Sequence, residues 1–313
     1  MKHLLRSSRP ILFAVAAMMA LQSCKKNTPM TEPGTIKAIV VASPDFSTLE
    51  TAVIKAGLAA TLDGPGPFTV FAPTNDAFTA SGISSAVIAS LSPDQLKAIL
   101  LYHTLGSKVM AANVPAGPNA SVTTAGGDSV FVTSNSTGVF VNGIKVTKAD
   151  VPATNGVIHT IGRVLLPPAG NIVEVASADT ALSYLVAAVV RASKGNTNVA
   201  AILSGSNILT VFAPTNNAFR AAGFATIDAI NAADPNVLTS ILTYHVVPGR
   251  VFSSDLVNGA QAATANGGKV TIGVTAGGAS VKGNSNASPS NIAAANIMAT
   301  NGVIHVIDSV LLP

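Results

Sequence analysis

The chain has 313 residues, of which 48% are apolar and only 10% are charged, and its formal net charge is +4 at pH 7. This composition lies outside the range of disordered chains, and the length allows two domains that each bury a core. Lys2, Arg6 and Arg9 lie in a predicted targeting segment, so the rest of the chain is nearly neutral, which predicts no nucleic-acid partner.

Residues 1–23 have the pattern of a bacterial secretion signal, with basic residues up to Arg9 and an apolar stretch from Ile11 to Leu21. The stretch is too short for a membrane-spanning helix. Residues 21–24, LQSC, resemble a lipobox, which implies cleavage before Cys24 and a diacylglycerol on its thiol. An ordinary signal peptide followed by an incidental cysteine is the alternative. Lipidation is favoured because Cys24 is the only cysteine and therefore has no disulfide partner in the chain.

Residues 24–34 comprise Cys24 and the segment KKNTPMTEPG, which shows no apolar period and contains two prolines and a glycine. This composition is typical of a short flexible tether. Several acyl chains on Cys24 would hold the protein durably on a membrane. We therefore predict an exported protein that is lipid-anchored to the bacterial cell envelope, in the outer membrane, facing either the surface or the periplasm.

The remainder of the chain is duplicated. Three blocks recur in the same order: TVFAPTNDAF at Thr69–Phe78 and TVFAPTNNAF at Thr210–Phe219, the pairs Tyr102-His103 and Tyr244-His245, and TNGVIHTIGRVLLP at Thr154–Pro167 and TNGVIHVIDSVLLP at Thr300–Pro313. A period this long indicates tandem domains rather than a solenoid of short repeats. We predict domain one at 35–168 and domain two at 169–313, joined by a short Pro- and Gly-containing linker at 167–170.

Each copy begins with apolar residues at helical spacing, Phe46, Leu49, Val53, Ile54 and Leu58 in the first and Leu182, Leu185, Val186, Val189 and Val190 in the second. The TVFAP strand ends at proline, and the following Thr-Asn predicts a capped helix. A longer helix starts at Ser92-Pro93 and ends at Tyr102-His103. Short strands separated by Gly and Asn turns follow, and the last strand, around His159, is apolar on both faces. Helices followed by antiparallel strands predict an α+β domain, a small sandwich or wedge flanked by helices.

The three blocks resemble those of the fasciclin (FAS1) domain, over nearly all of residues 35–313. The resemblance implies a wedge-shaped β-sandwich and a role in adhesion or extracellular-matrix binding rather than catalysis. It also implies candidate partner-binding residues: Tyr102, His103, Tyr244 and His245, and the dipeptides Asp150-Val151 and Asn296-Ile297 before the last block. Only Asp150 has the carboxylate that a receptor-bound metal ion would require, so this implication transfers poorly to domain two.

Four of the five histidines, His103, His159, His245 and His305, fall in the repeats, which suggests either a metal site or core packing. No short-range His or Cys spacing supports a zinc site, so packing against backbone is favoured and no metal or cofactor is predicted. Residues 283–286, GNSN, begin like a nucleophile elbow, but Ala287 replaces the second glycine. We predict no catalytic residues.

The sequence thus predicts a non-catalytic, lipid-anchored envelope protein that binds a protein or polysaccharide ligand on a cell surface or in a matrix. With no Trp and three Tyr, the chain offers few aromatic platforms for sugar stacking, so a glycan would be held mainly by polar loops. A periplasm-facing structural or assembly module that binds another envelope protein is the alternative.

Overall fold

The computed structural model describes residues 33–115 and 117–313. The predicted signal, the lipidation site at Cys24 and most of the tether lie outside the described residues. Among those described, no single helix has the length and apolar character to cross a membrane. One bent pair of helices, Ile172–Ala178 with Thr180–Ala192, has them together, by length and composition only.

The helices and strands form two sets that repeat one pattern. Domain one contains α1 Ile36–Ala42, α2 Ser47–Lys55, α3 Ala59–Leu62, β1 Phe68–Pro73, α4 Asn75–Ala80, α5 Ser85–Ser90, α6 Pro93–Tyr102, β2 Thr104–Leu105, β3 Gly117–Thr123, β4 Ser129–Asn135, β5 Gly138–Val141, β6 Ile144–Ala153 and β7 Gly156–Ile161. Domain two contains α7 Ile172–Ala178, α8 Ser183–Ala192, α9 Val199–Ser204, β8 Leu209–Pro214, α10 Asn216–Ala221, α11 Ile227–Ala232, α12 Pro235–Tyr244, β9 Val246–Pro248, β10 Gln261–Ala263, β11 Lys269–Thr275, β12 Gly278–Lys282, β13 Ser290–Ala299 and β14 Gly302–Ile307. The prediction of two tandem α+β domains is confirmed.

Each domain has one seven-stranded sheet, in the order β2-β1-β7-β6-β5-β4-β3 and β10-β11-β12-β13-β14-β8-β9. Neighbouring strands are antiparallel except β1 with β7 and β8 with β14, which are parallel. The sheets are therefore mixed rather than wholly antiparallel. Helices α4 to α6 and strands β2 to β6 lie between β1 and β7 in the chain. Two parallel strands need a long connection of this kind.

The apolar stripe of the first long helix is narrower than the sequence suggests. Leu49, Ala52 and Val53 of α2 are buried, whereas Ile54 is 63% exposed. One residue corresponds to about 100° around a helix, so Ile54 turns away from the face that carries Leu49 and Val53. In α8, Val190 follows Val189 in the same way and is 54% exposed. The helices occur as predicted, but these two residues lie outside the buried part of the stripe.

The repeated Thr-Asn holds two parts of each domain together. The Thr74 hydroxyl accepts a hydrogen bond from the Ala77 amide at 3.2 Å and caps α4. The Asn75 side chain accepts from the Thr48 amide at 3.0 Å and donates to the Pro44 carbonyl at 2.9 Å, so it fixes the start of α2. Asn216 makes the corresponding bonds in domain two. The segment is scaffold in both copies.

The Asn-Gly of the last block is equally structural. The buried Asn155 side chain accepts from the Ile36 amide at 2.9 Å and donates to the carbonyls of Leu62 and Gly64. A Cβ on Gly156 would lie 2.1 Å from the Phe68 carbonyl oxygen, so only glycine allows β7 to pair this closely with β1. Asn301 and Gly302 repeat both features.

Candidate functional site

The Tyr-His pair lies at the end of α6 in domain one and of α12 in domain two, and it is buried. His103 is 2% exposed and His245 is 1% exposed. The His103 Nε2 accepts a hydrogen bond from the Leu165 amide at 2.9 Å, so the proton is on Nδ1, which donates to the Ile99 carbonyl at 2.8 Å. Burial lowers the pKa of His103 to about 4, and it does the same for the pKa of His245. Both imidazoles are therefore neutral at pH 7 and connect a helix end to the segment after the last strand.

The two tyrosine hydroxyls tie the same helix ends to the sheet. The Tyr102 hydroxyl donates to the Ser129 carbonyl at 3.0 Å and accepts from the Asn142 side chain at 2.9 Å. Burial raises the pKa of Tyr102 to about 12. The Tyr244 hydroxyl donates to the Lys269 carbonyl and accepts from the Asn284 amide. Since Tyr102 is 1% and Tyr244 0% exposed, their rings, like those of His103 and His245, are buried within their own domain, and contact of these four residues with a partner stays a prediction.

The Asp-Val and Asn-Ile dipeptides lie at irregular points of β6 and β13. The strand register shifts on either side, and Asp150 and Asn296 have φ angles of 58° and 64°. The Asp150 Oδ1 accepts from the Ala111 amide at 2.9 Å, and the Asn296 Oδ1 accepts from the Ser253 amide at 2.8 Å. Asp and Asn both tolerate this left-handed conformation and both supply the oxygen, which explains how they replace one another.

The remaining two histidines hold the loop that these side chains cap. The Asp150 amide donates to His159 Nδ1 at 3.2 Å, so Nε2 carries the proton and donates to the Val109 carbonyl at 2.8 Å. His305 makes the same pair of bonds with the Asn296 amide and the Val251 carbonyl. Val151 and Ile297, which follow the irregular residue, are half-buried and pack on the helix-side cores. Only Asp150 of the predicted residues in domain one offers a polar side chain to solvent, with 34% of that side chain exposed.

Asn296 lies instead against domain one, in an interface that no sequence motif predicts. The Phe131 and Phe252 ring centroids are 6.1 Å apart, and the Arg250 guanidinium lies 4.2 Å from the Phe131 ring centroid. A Cβ on Gly143 would lie 2.6 Å from the Asn296 Nδ2. An aromatic pair and a cation over a ring stabilise such a contact by about 1 to 3 kcal/mol together.

Hydrogen bonds surround this aromatic contact. The Asn119 Nδ2 donates to the Arg250 carbonyl at 2.9 Å and to the Asp255 Oδ2 at 3.0 Å. The Arg250 Nη1 donates to the Gly302 carbonyl at 2.8 Å within domain two. A difference between the two copies marks this interface. Phe131 of domain one corresponds to Thr271 in domain two, and Arg250 of domain two corresponds to Lys108 in domain one.

Comparison with known proteins identifies both copies. The fasciclin domain model matches residues 44–167 and 182–313. The chain belongs to the fasciclin family. It is 38% identical over 159 residues to protein sll1483 of Synechocystis sp., covering 49% of this chain and 87% of that protein.

Two animal relatives match most of both fasciclin domains. The transforming growth factor-beta-induced protein ig-h3 of Sus scrofa is 29% identical over 80% of this chain, and human periostin is 28% identical over 80%. The chain spans 35% and 29% of the lengths of these two relatives. A solved FAS1 domain pair from the insect cell adhesion molecule fasciclin I aligns with 86% of this chain at 19% identity and a TM-score of 0.42, covering 97% of that structure.

The helix-side pocket of fasciclin domain two is a packing gap. It is lined by apolar side chains of α7, α8 and α9, among them Ile172, Val186 and Leu203, and by His245, and its volume is about 60 Å³. Sites for drug-sized ligands have volumes of roughly 300 to 1,000 Å³. Among residues 33–115 and 117–313, no group of three or more His, Cys, Asp or Glu side chains is placed to hold a metal ion.

The capping role of Asp150 gives a testable prediction. Asp150→Asn is expected to change the free energy of unfolding of domain one by less than about 0.5 kcal/mol, because the amide oxygen caps the same loop as Asn296 does. Asp150→Ala is expected to cost about 1 to 2 kcal/mol, since the Ala111 amide loses its acceptor and the left-handed conformation loses a tolerant side chain. Urea denaturation of the two variants checks this. Equal losses for Asn and Ala would show that the carboxylate charge, not the cap, matters.

Proposed function

We propose that this protein is a non-catalytic, lipid-anchored component of the bacterial cell envelope. Its two fasciclin domains bind a protein or polysaccharide ligand at the cell surface or in the surrounding matrix. The signal pattern at residues 1–23 and the lipobox-like residues before Cys24 support the anchor. The family match over both domains supports the binding role.

The binding proposal rests on the finding that the repeated polar motifs stabilise the fold of their own domain. The side chains of Asn75, His103 and Asn155, like their equivalents in domain two, are bonded to the backbone of their own domain. They are therefore not arranged around a shared cleft as catalytic groups would be. The two copies differ at exposed loop and strand positions such as Asn135 and Thr275, and loops on a rigid scaffold commonly carry recognition.

Anchoring makes weak contacts useful. Many copies held on one surface bind a second surface by avidity, because each further contact forms at high effective concentration. The proposal therefore requires only modest affinity per domain. It also requires that the ligand-binding face be accessible from the side of the membrane on which the domains stand.

The anchor is tested by changing the lipidation site. Cys24→Ala is expected to release the protein from the membrane fraction, because the variant has no thiol for the diacylglycerol. Fractionation of cells that express the wild-type chain and the variant Ser23→Ala, which keeps Cys24, provides the comparison. A Cys24→Ala variant that still fractionates with membranes contradicts the lipid anchor.

The exposed side is tested by protease treatment of intact cells. We expect the fasciclin domains to be digested without breaking the outer membrane. Digestion only after the membrane is broken contradicts a surface ligand and supports the alternative, a periplasm-facing assembly module.

A further inference from the structure

One face of domain two is covered by domain one, whereas the same face of domain one is left open by the described residues, 33–115 and 117–313. The covered face consists of Arg250, Phe252, Asp255, Asn296 and Met298. It is contacted by a docking edge of domain one that consists of Asn119, Phe131, Asn135 and Gly143. Phe252 is 0% exposed, and it forms a small apolar cluster with Met298 and Val303 on which Phe131 packs.

The loop that builds this face has the same backbone arrangement in both domains. The Thr69 hydroxyl donates to the Ser107 carbonyl at 2.6 Å and accepts from the Val109 amide at 2.8 Å. The Thr210 hydroxyl bonds the Gly249 carbonyl and the Val251 amide in the same way, at 2.7 and 2.9 Å. With the Asp150 and Asn296 caps, these bonds fix a common loop shape, so corresponding residues occupy corresponding places.

The open face of domain one consists of Lys108, Met110, Asn113, Asp150 and Pro152. These residues correspond in order to Arg250, Phe252, Asp255, Asn296 and Met298 of the covered face. Lys108, Asn113 and Pro152 are exposed, and Met110 and Asp150 are half-buried. The face thus retains a cation that can lie over a ring, a thioether that packs well on aromatic edges, and oxygen acceptors for an amide.

We propose that the open face of domain one is a docking site for a fasciclin-type domain of a different polypeptide. That domain carries an Asn and an aromatic residue on its sheet edge, in the places that Asn119 and Phe131 occupy here. Its aromatic ring packs on Met110 with Lys108 over it, and its Asn donates to the oxygen acceptors of the open face. Phe131 and Asn119 make the corresponding contacts with the covered face.

A second copy of this chain does not fit this description. The docking edge of domain one is occupied by its own domain two. In domain two the corresponding edge has Gly259, Thr271 and Thr275 in place of Asn119, Phe131 and Asn135. Asn119 and Gly259 both have positive φ, 65° and 78°, so the backbone course is kept while the contacting side chains are absent. The chain is therefore expected to stay monomeric through this face.

The inference deepens the proposed binding function and rests on it, but its test uses this chain alone, so failure of the envelope assays would leave the result unaffected. Gly259→Asn, Thr271→Phe and Thr275→Asn transfer the docking edge to domain two. A Cβ on Gly259 meets no atom within 4 Å, and Asn tolerates its φ. In residues 33–313, which form one compact unit, the triple variant is expected to form open-ended oligomers whose mass rises with concentration, because a head-to-tail contact need not close.

Sedimentation at concentrations where the wild type is monomeric reads out the result. Adding Lys108→Glu and Met110→Asp to the triple variant is expected to restore the monomer. If the triple exchange lowers the melting temperature, Thr271→Phe alone provides the same comparison. A folded variant that stays monomeric, or oligomers that persist with Lys108→Glu and Met110→Asp, overturns the proposal. Self-association of the wild type that Lys108→Glu abolishes overturns the assignment to a different polypeptide.

Discussion

His245→Ala is expected to lower the free energy of unfolding of domain two by about 3 to 5 kcal/mol. The change removes a fully buried ring, and large-to-small changes of this kind cost about that much. It also leaves the Leu311 amide and the Ile241 carbonyl, which the imidazole bonds at 2.8 Å each, without their partners. His103→Ala is expected to have the same effect on domain one. Urea denaturation followed by circular dichroism measures both losses.

A control separates this packing effect from the general effect of substitution. Val237→Ala changes a side chain that is 56% exposed on the same helix, α12. Its expected cost is below about 0.5 kcal/mol. A loss below about 1 kcal/mol for His245→Ala would mean that the imidazole does not hold the helix end to the segment after β14.

The buried histidines also predict that the protein loses stability as the pH falls from about 6.5 to about 4. Burial lowers the folded-state pKa of His103 and His245 to about 4, whereas an unfolded histidine has a pKa of 6.5. Between these values the unfolded chain binds more protons than the folded chain, so the free energy of unfolding rises with pH. The stabilisation is complete above about pH 6.5 and is lost as the pH falls through this window.

The size of this pH effect follows from the difference between the folded and unfolded pKa of the two histidines. A difference of about 2.5 pKa units corresponds to roughly 3 kcal/mol for each histidine, with a slope of at most about 1.4 kcal/mol per pH unit. Burial also lowers the pKa of His305, which adds to the pH dependence of domain two. Urea denaturation at pH 7 and pH 5 checks the effect, with His245→Gln as the comparison for domain two. A free energy of unfolding that is unchanged across this range contradicts the prediction.

The repeated elements were the part of the fold that the sequence predicted well. Proline at the end of TVFAP, the capping Thr74 and the helix that ends at Tyr102-His103 are local signals, and each has a direct physical meaning. The parallel pairing of β1 with β7 was not predicted, because it joins residues separated by nearly the whole domain. Helix periodicity placed the core face but overestimated its width at Ile54 and Val190.

The interface between the domains was not predicted for a related reason. Phe131 belongs to a strand whose alternation looks like that of any half-buried strand, and Arg250 looks like a loop cation. No local pattern encodes their role, which shows in their proximity and in the exchange of Phe131 for Thr271 and of Arg250 for Lys108 between the copies. Asp150 and Asn296 illustrate the same point. They occupy corresponding positions in the two domains, but Asp150 lies at an open face and Asn296 at a covered one.

NMR titration of the imidazoles in residues 33–313 tests most directly whether the duplicated Tyr-His pairs are scaffold. The resonances of His103 and His245 are expected to remain those of neutral rings down to about pH 4, for as long as the domains stay folded. Titration near pH 6.5 in the folded protein would show solvent-accessible rings and would contradict a scaffold role for the Tyr-His pairs.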